Sequence, residues 1–542
     1  MAIDRLSILS SKGYFPAGLP PTFTTRDFGQ HIRSVLKDWG ASGTIPPDYR
    51  APAKLFSVKE TEPENLSVPK GNRERRLLQI VHPISQAILN DLISRNWSTI
   101  HGWTSRNKYT YGDLDVSELT SRAIANPEFA LHRAHKEAIV SVCNWITETD
   151  IARFYPSIYT HSISWAAYGK IEYKKDPKKY KNSLADQLDV AVRKCNRSQT
   201  VGIPIGPDSS RVIAEIVSSY VDSKVAAATG LTRHEADRLQ DDWLIGSKTL
   251  EEAESRLAAV IRAYQELGLD INGRKTGITH VANATYARWR SRLLNLRSGG
   301  RLTGDRLGEF LRAAINEQID DPSDSILPYV YAILIGAKFD WDDIPTVQSF
   351  VTRSVAVDPR VMDSACILLL NLNYEGFKLD QRRIAERFVP LLESSLEAGH
   401  TFEAIWALHL FRGLRYDLTA TRVSELADAN DGSAIKLVML DLESIGLLAK
   451  LPKKTWLKQI AASSLLDPIW LLAYEGVRHG WLADPGGAIR ANPILAPMFA
   501  RNIQFYDPKR NVPRRTNLRR LRLARVQAAH QAVVRGWFGD YP

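Results

Sequence analysis

The stretch T-D-I-A-R-F-Y-P-S-I-Y-T-H, residues 149–161, places Asp150 directly before a segment that holds two adjacent aromatic residues and a proline. Thr149 and Ile151 favour a β-strand, and Pro156 prevents a regular helix from continuing back through it. Taken alone, the stretch also fits a plain strand end and turn in which Asp150 caps a nearby backbone group. The segments that follow it in the chain decide between these interpretations.

The second informative stretch is T-V-G-I-P-I-G-P-D-S-S-R-V-I-A-E-I-V-S-S-Y-V-D, which begins at Thr200. Gly202 and Gly206 alternate with prolines and predict a tight loop. The residues after the loop carry apolar side chains at helical spacing, so we expect a helix there, with Asp208 or Ser209 as its N-terminal cap.

The third stretch, R-L-Q-D-D-W-L-I-G at residues 238–246, predicts a strand, an acidic turn and a second strand. Adjacent aspartates in a tight turn, here Asp241 and Asp242, repel each other unless a cation or solvent relieves the repulsion. Pairs of this kind are also common on protein surfaces, so the stretch alone does not establish a site.

The fourth stretch, G-L-D-I-N-G-R-K-T-G-I at residues 268–278, nearly matches a P-loop. Arg274 is inserted between Gly273 and Lys275, and this insertion breaks the glycine-rich cradle that the motif needs. We therefore reject an ATPase interpretation and expect Lys275 to be a basic group near a phosphate.

In this order the four stretches resemble the palm of a reverse transcriptase. Asp150 would be motif A, G-I-P-I-G-P-D-S-S motif B, Asp241 and Asp242 motif C, and Lys275 a part of motif D. The resemblance covers roughly residues 50–285. It implies an RNA-directed DNA polymerase, that is, a nucleotidyltransferase acting on dNTPs, with a DNA product and with an RNA template or a noncoding RNA as further partners.

The upstream segment P-K-G-N-R-E-R-R-L-L-Q-I-V-H-P-I-S-Q resembles the part of the fingers that contacts the incoming triphosphate. Arg76, in an R-x-L-x-I pattern, is the best match to the triphosphate-binding arginine. Lys70, Arg73 and Arg75 would add positive charge.

Nucleotidyl transfer uses two divalent metals, and Mg²⁺ prefers carboxylate oxygens, which explains the residue types. The resemblance implies that Asp150 and Asp241 hold Mg²⁺, with Mn²⁺ as an alternative ion. Asp242 would contribute less directly, and the carbonyl of Ile151 would add a ligand. Tyr155 would exclude a ribose 2′-hydroxyl.

Two departures from the usual pattern bear on the activity. Ile205, which with Gly206 would contact the nucleotide, stands where many reverse transcriptases carry Gln, and Leu239 stands where many carry Tyr. These apolar residues put ordinary templated synthesis in doubt. They also keep a second hypothesis open, in which the palm is a catalytically degenerate platform that binds nucleic acid and the helical half binds protein.

The loop G-I-P-I-G-P together with a long helical second half resembles the bacterial abortive-infection and defence-associated reverse transcriptases. That resemblance implies antiviral defence, homo-oligomers and, in some members, untemplated or protein-primed DNA synthesis. A priming tyrosine would be Tyr506 or Tyr541 in the C-terminal tail, or Tyr14; the alternative is that these are packing aromatics. An intron-encoded or retron-type enzyme fits less well, because we find no maturase or endonuclease segment.

The predicted architecture is α+β, with right-hand-like fingers and palm in residues 1–295 and an all-α HEAT-like repeat domain in residues 301–495. A plain helical bundle is the alternative for the second unit. Residues 496–542 form a basic C-terminal segment that either contacts phosphates or docks as a solvated helix. Its candidate nucleic-acid contacts are Arg514, Arg515, Arg519 and Arg520.

Composition agrees with a polyanion-binding protein of a reducing compartment. The 542 residues carry 71 Lys and Arg against 60 Asp and Glu, a formal charge of +11, and only 3 cysteines. We find neither a signal peptide nor an apolar run long enough to span a bilayer, so we expect a cytoplasmic protein without a membrane partner. His132 and His135 share a predicted helix face, but no third ligand accompanies them, and we do not predict a metal site there.

Overall fold

The computed structural model describes residues 3–510, except residues 72–73, 107–108, 111–113, 125–128, 285–287, 299 and 430–431. Most described residues are helical, and two small antiparallel sheets lie in the first 280 residues, so the fold class is α+β. We refer to residues 3–298 as the N-terminal half and to residues 300–510 as the C-terminal half.

The strands are β1 (Glu64–Gly71), β2 (Glu74–Ile80), β3 (Trp145–Thr149), β4 (Ala236–Leu239), β5 (Asp242–Ser247) and β6 (Gly277–His280). The helices of the N-terminal half are α1 (Arg5–Ser11), α2 (Arg26–Ala41), α3 (Pro52–Leu55), α4 (Pro83–Arg95), α5 (Trp97–Thr104), α6 (Phe129–Val142), α7 (Phe154–Ser157), α8 (Ser162–Tyr168), α9 (Lys170–Lys175), α10 (Leu184–Lys194), α11 (Asp208–Thr229), α12 (Leu250–Glu266) and α13 (Arg288–Ser298).

The central sheet has the order β4-β5-β3-β6, and every neighbouring pair is antiparallel. Thr149 at the end of β3 is paired with Trp243 at the start of β5. This register brings Asp150, which follows β3, next to the turn between β4 and β5. The predicted strand, acidic turn and strand around Asp241 is therefore confirmed.

Side chains of β5 alternate between two helical layers, as expected for a strand. Trp243 is buried in the main core, where its indole N–H donates to the Tyr264 hydroxyl of α12 at 3.1 Å. Leu244 instead packs with Ile139 of α6. Helices α12 and α6 thus cover the two faces of the sheet at β5.

Helix α11 confirms the helix predicted after the glycine–proline loop. Its predicted apolar face is buried, and the helix ends at Gly230, whose φ of +66° is readily adopted by glycine. The predicted cap is wrong: Pro207 occupies the cap position, and no side chain caps the helix. The Asp208 carboxylate is instead bound by Arg122 and by the backbone N–H of Ile124.

The C-terminal half is all helical in its described residues. Its helices are α14 (Gly304–Asp320), α15 (Ile326–Leu334), α16 (Ile344–Val357), α17 (Met362–Tyr374), α18 (Gln381–Glu397), α19 (Thr401–Leu414), α20 (Ser433–Ser444), α21 (Lys453–Ala462), α22 (Trp470–Arg478), α23 (Ala488–Ala491) and α24 (Ala496–Phe499). From α14 to α19 each helix packs against the next but one along the chain. The HEAT-like repeat remains a prediction.

The two halves share one hydrophobic core and several polar contacts. Arg75 of β2 forms a two-pronged ion pair with Glu403 of α19, at 2.7 and 2.8 Å. The Glu64 carboxylate of β1 accepts from the backbone N–H of Ala434 at 2.9 Å. These contacts hold the β1–β2 hairpin against the C-terminal half.

Residues 496–510 return to the N-terminal half. Tyr506 pairs with Phe23 through an isolated β-bridge, and the Thr24 N–H donates to the Phe505 carbonyl at 2.9 Å. Residues 496–510 of the predicted C-terminal segment therefore pack with the folded core, and the domain boundaries stay a prediction. In the described part of the chain, no helix is both long and apolar enough to cross a membrane.

Candidate active site

A cleft of about 720 Å³ opens between the end of β3, the β4–β5 turn, the β1–β2 hairpin and the glycine–proline loop. Of the sequence-predicted residues, Asp150, Ile151, Asp241 and Asp242 lie on one side of it, with Lys275. The other predicted lining residues are Lys70, Arg75, Arg76, Tyr155, Ile205 and Gly206. One cleft thus contains all four predicted motifs and the hairpin.

Asp150 lies at the carboxyl end of β3 and is largely buried. Its carbonyl accepts from the Asn272 N–H at 2.6 Å, and its carboxylate accepts from the Lys275 ammonium at 2.6 Å. Burial alone would raise the pKa of Asp150, but the bond to Lys275 outweighs it and holds the pKa below its ordinary value. Asp150 is therefore ionised and paired.

The pKa values of Asp241 and Asp242 are shifted in the opposite direction, above their ordinary values. Burial, followed by the negative charges of Asp242 and Asp150, raises the pKa of Asp241 to about 7. Burial and the Asp150 charge also raise the pKa of Asp242. The carboxyls of Asp150 and Asp241 are within hydrogen-bonding reach of each other. The site thus concentrates more negative charge than its neighbours compensate.

Arg238, to which the sequence pattern gave no role, supports the β4–β5 turn from the buried side. It is completely buried, and its guanidinium donates to Asp222 of α11 at 2.7 and 2.8 Å and to Glu215 at 2.8 Å. A further N–H donates to the Gln240 carbonyl at 2.7 Å. Gln240 has a φ of +60°, so the turn adopts a backbone conformation that needs such support.

Arg122, which the sequence pattern also left without a role, holds the loop that contains Ile205 and Gly206. Its guanidinium donates to the Gly206 carbonyl at 2.7 Å and to Asp208 at 2.9 Å. Gly206 has a φ of +131°, and a Cβ there would lie 2.7 Å from the Cβ of Pro16. The Ile205 carbonyl accepts from the Gln79 N–H at 2.8 Å, which ties the loop to β2.

The aromatic and basic residues of the cleft have distinct environments. Tyr155 in α7 is half-buried against Phe154, which is in the core, and its carbonyl accepts from the Ile203 N–H at 3.0 Å. Arg76 on β2 is exposed at the cleft. Arg75, expected to add charge for a triphosphate, is instead paired with Glu403.

The candidate priming tyrosines that the structure describes are both buried. The Tyr14 hydroxyl donates to the Val81 carbonyl at 2.6 Å, and the Tyr506 hydroxyl donates to Asp441 at 2.7 Å. In this structure they are packing aromatics. Tyr541, Arg73 and the arginines of the C-terminal segment, Arg514, Arg515, Arg519 and Arg520, lie outside the described residues.

His132 and His135 of α6 both contact Asp237 of β4, each through Nδ1 at 2.9 Å. Asp237 is buried, and burial raises its pKa less than the two histidines lower it. The two imidazoles thus bind a carboxylate on the face of β4 opposite to Arg238.

The cleft contains candidate ligands for a divalent cation. Within the described ranges, no three His, Cys, Asp or Glu side chains converge as a ready-made ligand group, and Lys275 occupies one oxygen of Asp150. The residue types nevertheless fit, because the carboxylates of Asp150, Asp241 and Asp242 all line the cleft. Burial and the two neighbouring negative charges raise the pKa of Asp241, and a cation would relieve that repulsion.

Comparison with known proteins gives little further information. No family model and no curated protein matches the chain. Among solved structures, the chain is similar to a telomerase from Candida tropicalis in complex with the TWJ fragment of telomeric RNA. That similarity has a TM-score of 0.28 and 11% identity, and it covers 71% of this chain but only 62% of the telomerase chain.

Proposed function

We propose that the chain is a divalent-metal-dependent nucleotidyltransferase of the reverse transcriptase type, which polymerises dNTPs. The observation that carries this proposal is the group formed by Asp150, Asp241 and Asp242. Two adjacent loop ends bring these carboxylates together on the wall of an open cleft, with the pKa of Asp241 raised to about 7. Perturbed carboxylates in a cleft are typical of functional sites.

Asp150 and Asp241 would hold Mg²⁺, with Asp242 and the Ile151 carbonyl beside them. The bound ions would activate a 3′-hydroxyl and neutralise the charge that develops on a triphosphate. The Lys275 ammonium bonds one oxygen of Asp150, so a cation would take the other oxygen or displace the ammonium. In either case Lys275 would stay close enough to place positive charge beside a phosphate.

The other cleft residues would position the substrate. Arg76 extends from β2 into the cleft and would contact the triphosphate. Tyr155 is held by the Ile203 N–H and would limit the space beneath the sugar, which favours dNTPs over NTPs. Arg122 keeps Gly206 and Ile205 in place, so that the loop presents the same surface before and after substrate binds.

We further propose a role in antiviral defence by abortive infection, with untemplated or protein-primed synthesis and a homo-oligomeric state. This part rests on the resemblance of the G-I-P-I-G-P loop and on the long helical half alone. Because Tyr14 and Tyr506 are buried, Tyr541 is the remaining candidate for a priming residue among the three that the sequence suggests.

A second candidate function is favoured by the ion pair between Lys275 and Asp150. A cleft whose first carboxylate is neutralised by a lysine, and which carries Ile205 and Leu239, could bind nucleic acid without catalysis. Arg76 and Arg153, both exposed, also line the cleft and would supply positive charge for such binding. The experiment below separates the two functions.

The test incubates the purified protein with Mg²⁺ and each labelled dNTP in turn, first without nucleic acid and then with a primer–template. Products are analysed before and after protease and RNase treatment. We expect incorporation by the native chain and loss of incorporation in Asp150→Asn and Asp241→Asn, with circular dichroism unchanged. Asp270→Asn, an exposed carboxylate next to the site, is the matched control and should retain activity.

Two results would contradict the proposal. One is native-like incorporation by Asp150→Asn and Asp241→Asn, which would show that the carboxylates are not the site. The other is absence of incorporation under every condition with tight nucleic-acid binding retained, which would establish the binding function instead. Products that stay linked to protein until proteolysis would support protein priming.

A further inference from the structure

Residues 165–181, which precede α10 in the chain, form an exposed surface rich in lysine and aromatic side chains. The segment comprises the end of α8, all of α9 and a 3₁₀ turn at Pro177–Tyr180. Its basic residues are Lys170, Lys174, Lys175, Lys178, Lys179 and Lys181, against the acids Glu172 and Asp176. We call residues 165–181 the lysine–aromatic surface.

The aromatic rings of this surface are stacked on one another and only half-buried. The Tyr180 ring lies between Tyr168, at a centroid distance of 4.7 Å and an angle of 23°, and Tyr173, at 5.5 Å and 26°. Trp165 lies under the ammonium groups of Lys170 and Lys174, at 4.5 and 5.7 Å. The surface thus presents π-faces and cations side by side.

The lysine–aromatic surface continues into the cleft. Trp165 packs against Tyr159 at a centroid distance of 5.5 Å, and Tyr159 is joined to Val201 by an isolated β-bridge. Val201 is 56% exposed and lines the cleft. A strand lying in the cleft would therefore meet these aromatic residues as it leaves the protein.

Four of these six lysines form no ion pair with a described residue, although Lys174 and Lys179 lie over the rings of Trp165 and Tyr180. Lys175 is paired with Glu172 at 2.6 Å, and Lys170 donates to the Glu266 carbonyl. For Lys174, Lys178, Lys179 and Lys181 no ion pair is found with any described residue, and all four side chains are exposed. A lysine-rich helix face can serve solubility alone, but solubility does not require stacked, half-exposed tyrosines between the lysines.

We propose that the lysine–aromatic surface binds a single-stranded nucleic acid that continues into the cleft. Grooves that bind single strands without sequence preference combine basic groups that follow the phosphates with aromatic rings on which bases stack. The lysines would contact phosphates, and the outer face of Tyr173 would stack on a base. The continuation into the cleft rests on the proposed function, whereas binding to the surface does not require catalysis.

The test measures binding of labelled oligothymidylate and oligouridylate by fluorescence anisotropy between about 50 and 200 mM salt, without divalent ions. In a triple variant, Lys174→Gln, Lys178→Gln and Lys179→Gln, each lost phosphate contact should reduce the slope of log K against log salt by about 0.7. We therefore expect a slope shallower by about 2 and binding at least about tenfold weaker at the lower salt concentration.

The matched control removes the same charge from exposed lysines of the C-terminal half, through Lys450→Gln, Lys454→Gln and Lys458→Gln. This control should keep the native slope. Tyr173→Ala should weaken binding about fivefold or more without changing the slope, because stacking contributes energy but no counterion release. Tyr173→Phe keeps the ring and should bind like the native chain.

Native affinity and slope in the lysine triple variant, or an equal loss in the control triple variant, would overturn the proposal. Failure of the proposed nucleotidyltransferase function would give a different result from failure of this binding proposal. If Asp241→Asn and the native chain both lack incorporation but bind single strands with the predicted slope, the proposed function fails and the binding surface stands. Comparison of the two oligonucleotides shows whether DNA or RNA is preferred.

Discussion

The buried guanidinium of Arg238 gives the sharpest structural prediction, because it holds the β4–β5 turn without contacting the cleft. We consider Arg238→Met, which fills a similar volume but removes the charge. The change leaves the carboxylates of Asp222 and Glu215 without their cation and the Gln240 carbonyl without its donor. Asp222 is fully buried and the Glu215 side chain is 11% exposed, so water cannot replace these bonds.

Removal of one partner from a buried ion pair typically costs about 3–5 kcal/mol, since the remaining charge stays uncompensated. A buried carbonyl without a donor costs about 1–3 kcal/mol more. We therefore expect Arg238→Met to lower the free energy of opening of the β4–β5 hairpin by at least about 4 kcal/mol. That is a large part of the roughly 5–15 kcal/mol that stabilises a typical protein.

Hydrogen–deuterium exchange of the β5 amides measures this loss locally. Exchange should be faster by about three orders of magnitude, at about 1.4 kcal/mol per factor of ten. The triple variant Arg238→Met, Asp222→Asn, Glu215→Gln removes the stranded charges and should recover most of the protection. Arg382→Met is the control, because the Arg382–Glu386 pair is exposed and should contribute about 0.5 kcal/mol or less. A loss below about 1 kcal/mol, or no recovery in the triple variant, would refute the reasoning.

Two further predictions concern pH. Burial raises the pKa of Glu64 to about 7, so the folded chain keeps a proton that the unfolded chain releases above its ordinary pKa of 4.5. The stability that this proton gives is complete below about pH 4.5 and is lost as pH rises through about 7. Glu64→Gln should abolish this loss in thermal melting curves. A variant with the same pH profile as the native chain would contradict the prediction. Asp241→Asn, without divalent ions, should stabilise the fold by an amount that grows with pH and levels off above about pH 7, because burial and the nearby carboxylates raise the pKa of Asp241 to about 7. Asp270→Asn should show no such gain, and an Asp241→Asn chain less stable than the native one at high pH would contradict the assignment of repulsion at this site.

Local sequence patterns were sufficient to predict the strands and the turn that carry the aspartates of the site. The alternation of side chains around Asp241 and the strand before Asp150 follow from short-range preferences, which one stretch of sequence contains. The meeting of the two aspartates depends on the pairing of Thr149 with Trp243, a long-range contact. The order of the motifs suggested this pairing only through resemblance to a family.

Arg238 and Arg122 could not be assigned from local patterns, because their partners lie far away in the chain. One indication was available: Glu215 and Asp222 are seven residues apart, so they share one face of α11 and interrupt it with acids. A buried cation opposite that face could have been inferred. Arg122 gave no comparable indication, since its partners are the carbonyls of Phe15 and Gly206 and the Asp208 carboxylate, which only folding brings together.

The helix start at Asp208 and the packing of residues 496–510 both depend on tertiary contacts. Asp208 has the residue type of a cap, but its carboxylate is taken by Arg122 and Ile124, and tertiary contacts therefore override the local preference. Tyr506 follows Phe505 in a segment that was grouped with a charged tail. Both aromatic side chains are fully buried between the two halves, Phe505 against Phe28 and Trp470 and Tyr506 against Phe23 and Trp481.

The distribution of charge explains why the carboxylate group is better understood as a site than as part of the scaffold. Arg238 lies just below the turn, yet its guanidinium is saturated by Asp222 and Glu215 and leaves Asp241 uncompensated. Lys275 pairs with Asp150, and its side chain is 54% exposed, so it can move away at small cost. A scaffold would place a fixed cation against Asp241. In this chain the fixed cation, Arg238, is bound to Asp222 and Glu215, and the movable cation, Lys275, lies in the cleft. This arrangement suits a binding partner that carries positive charge.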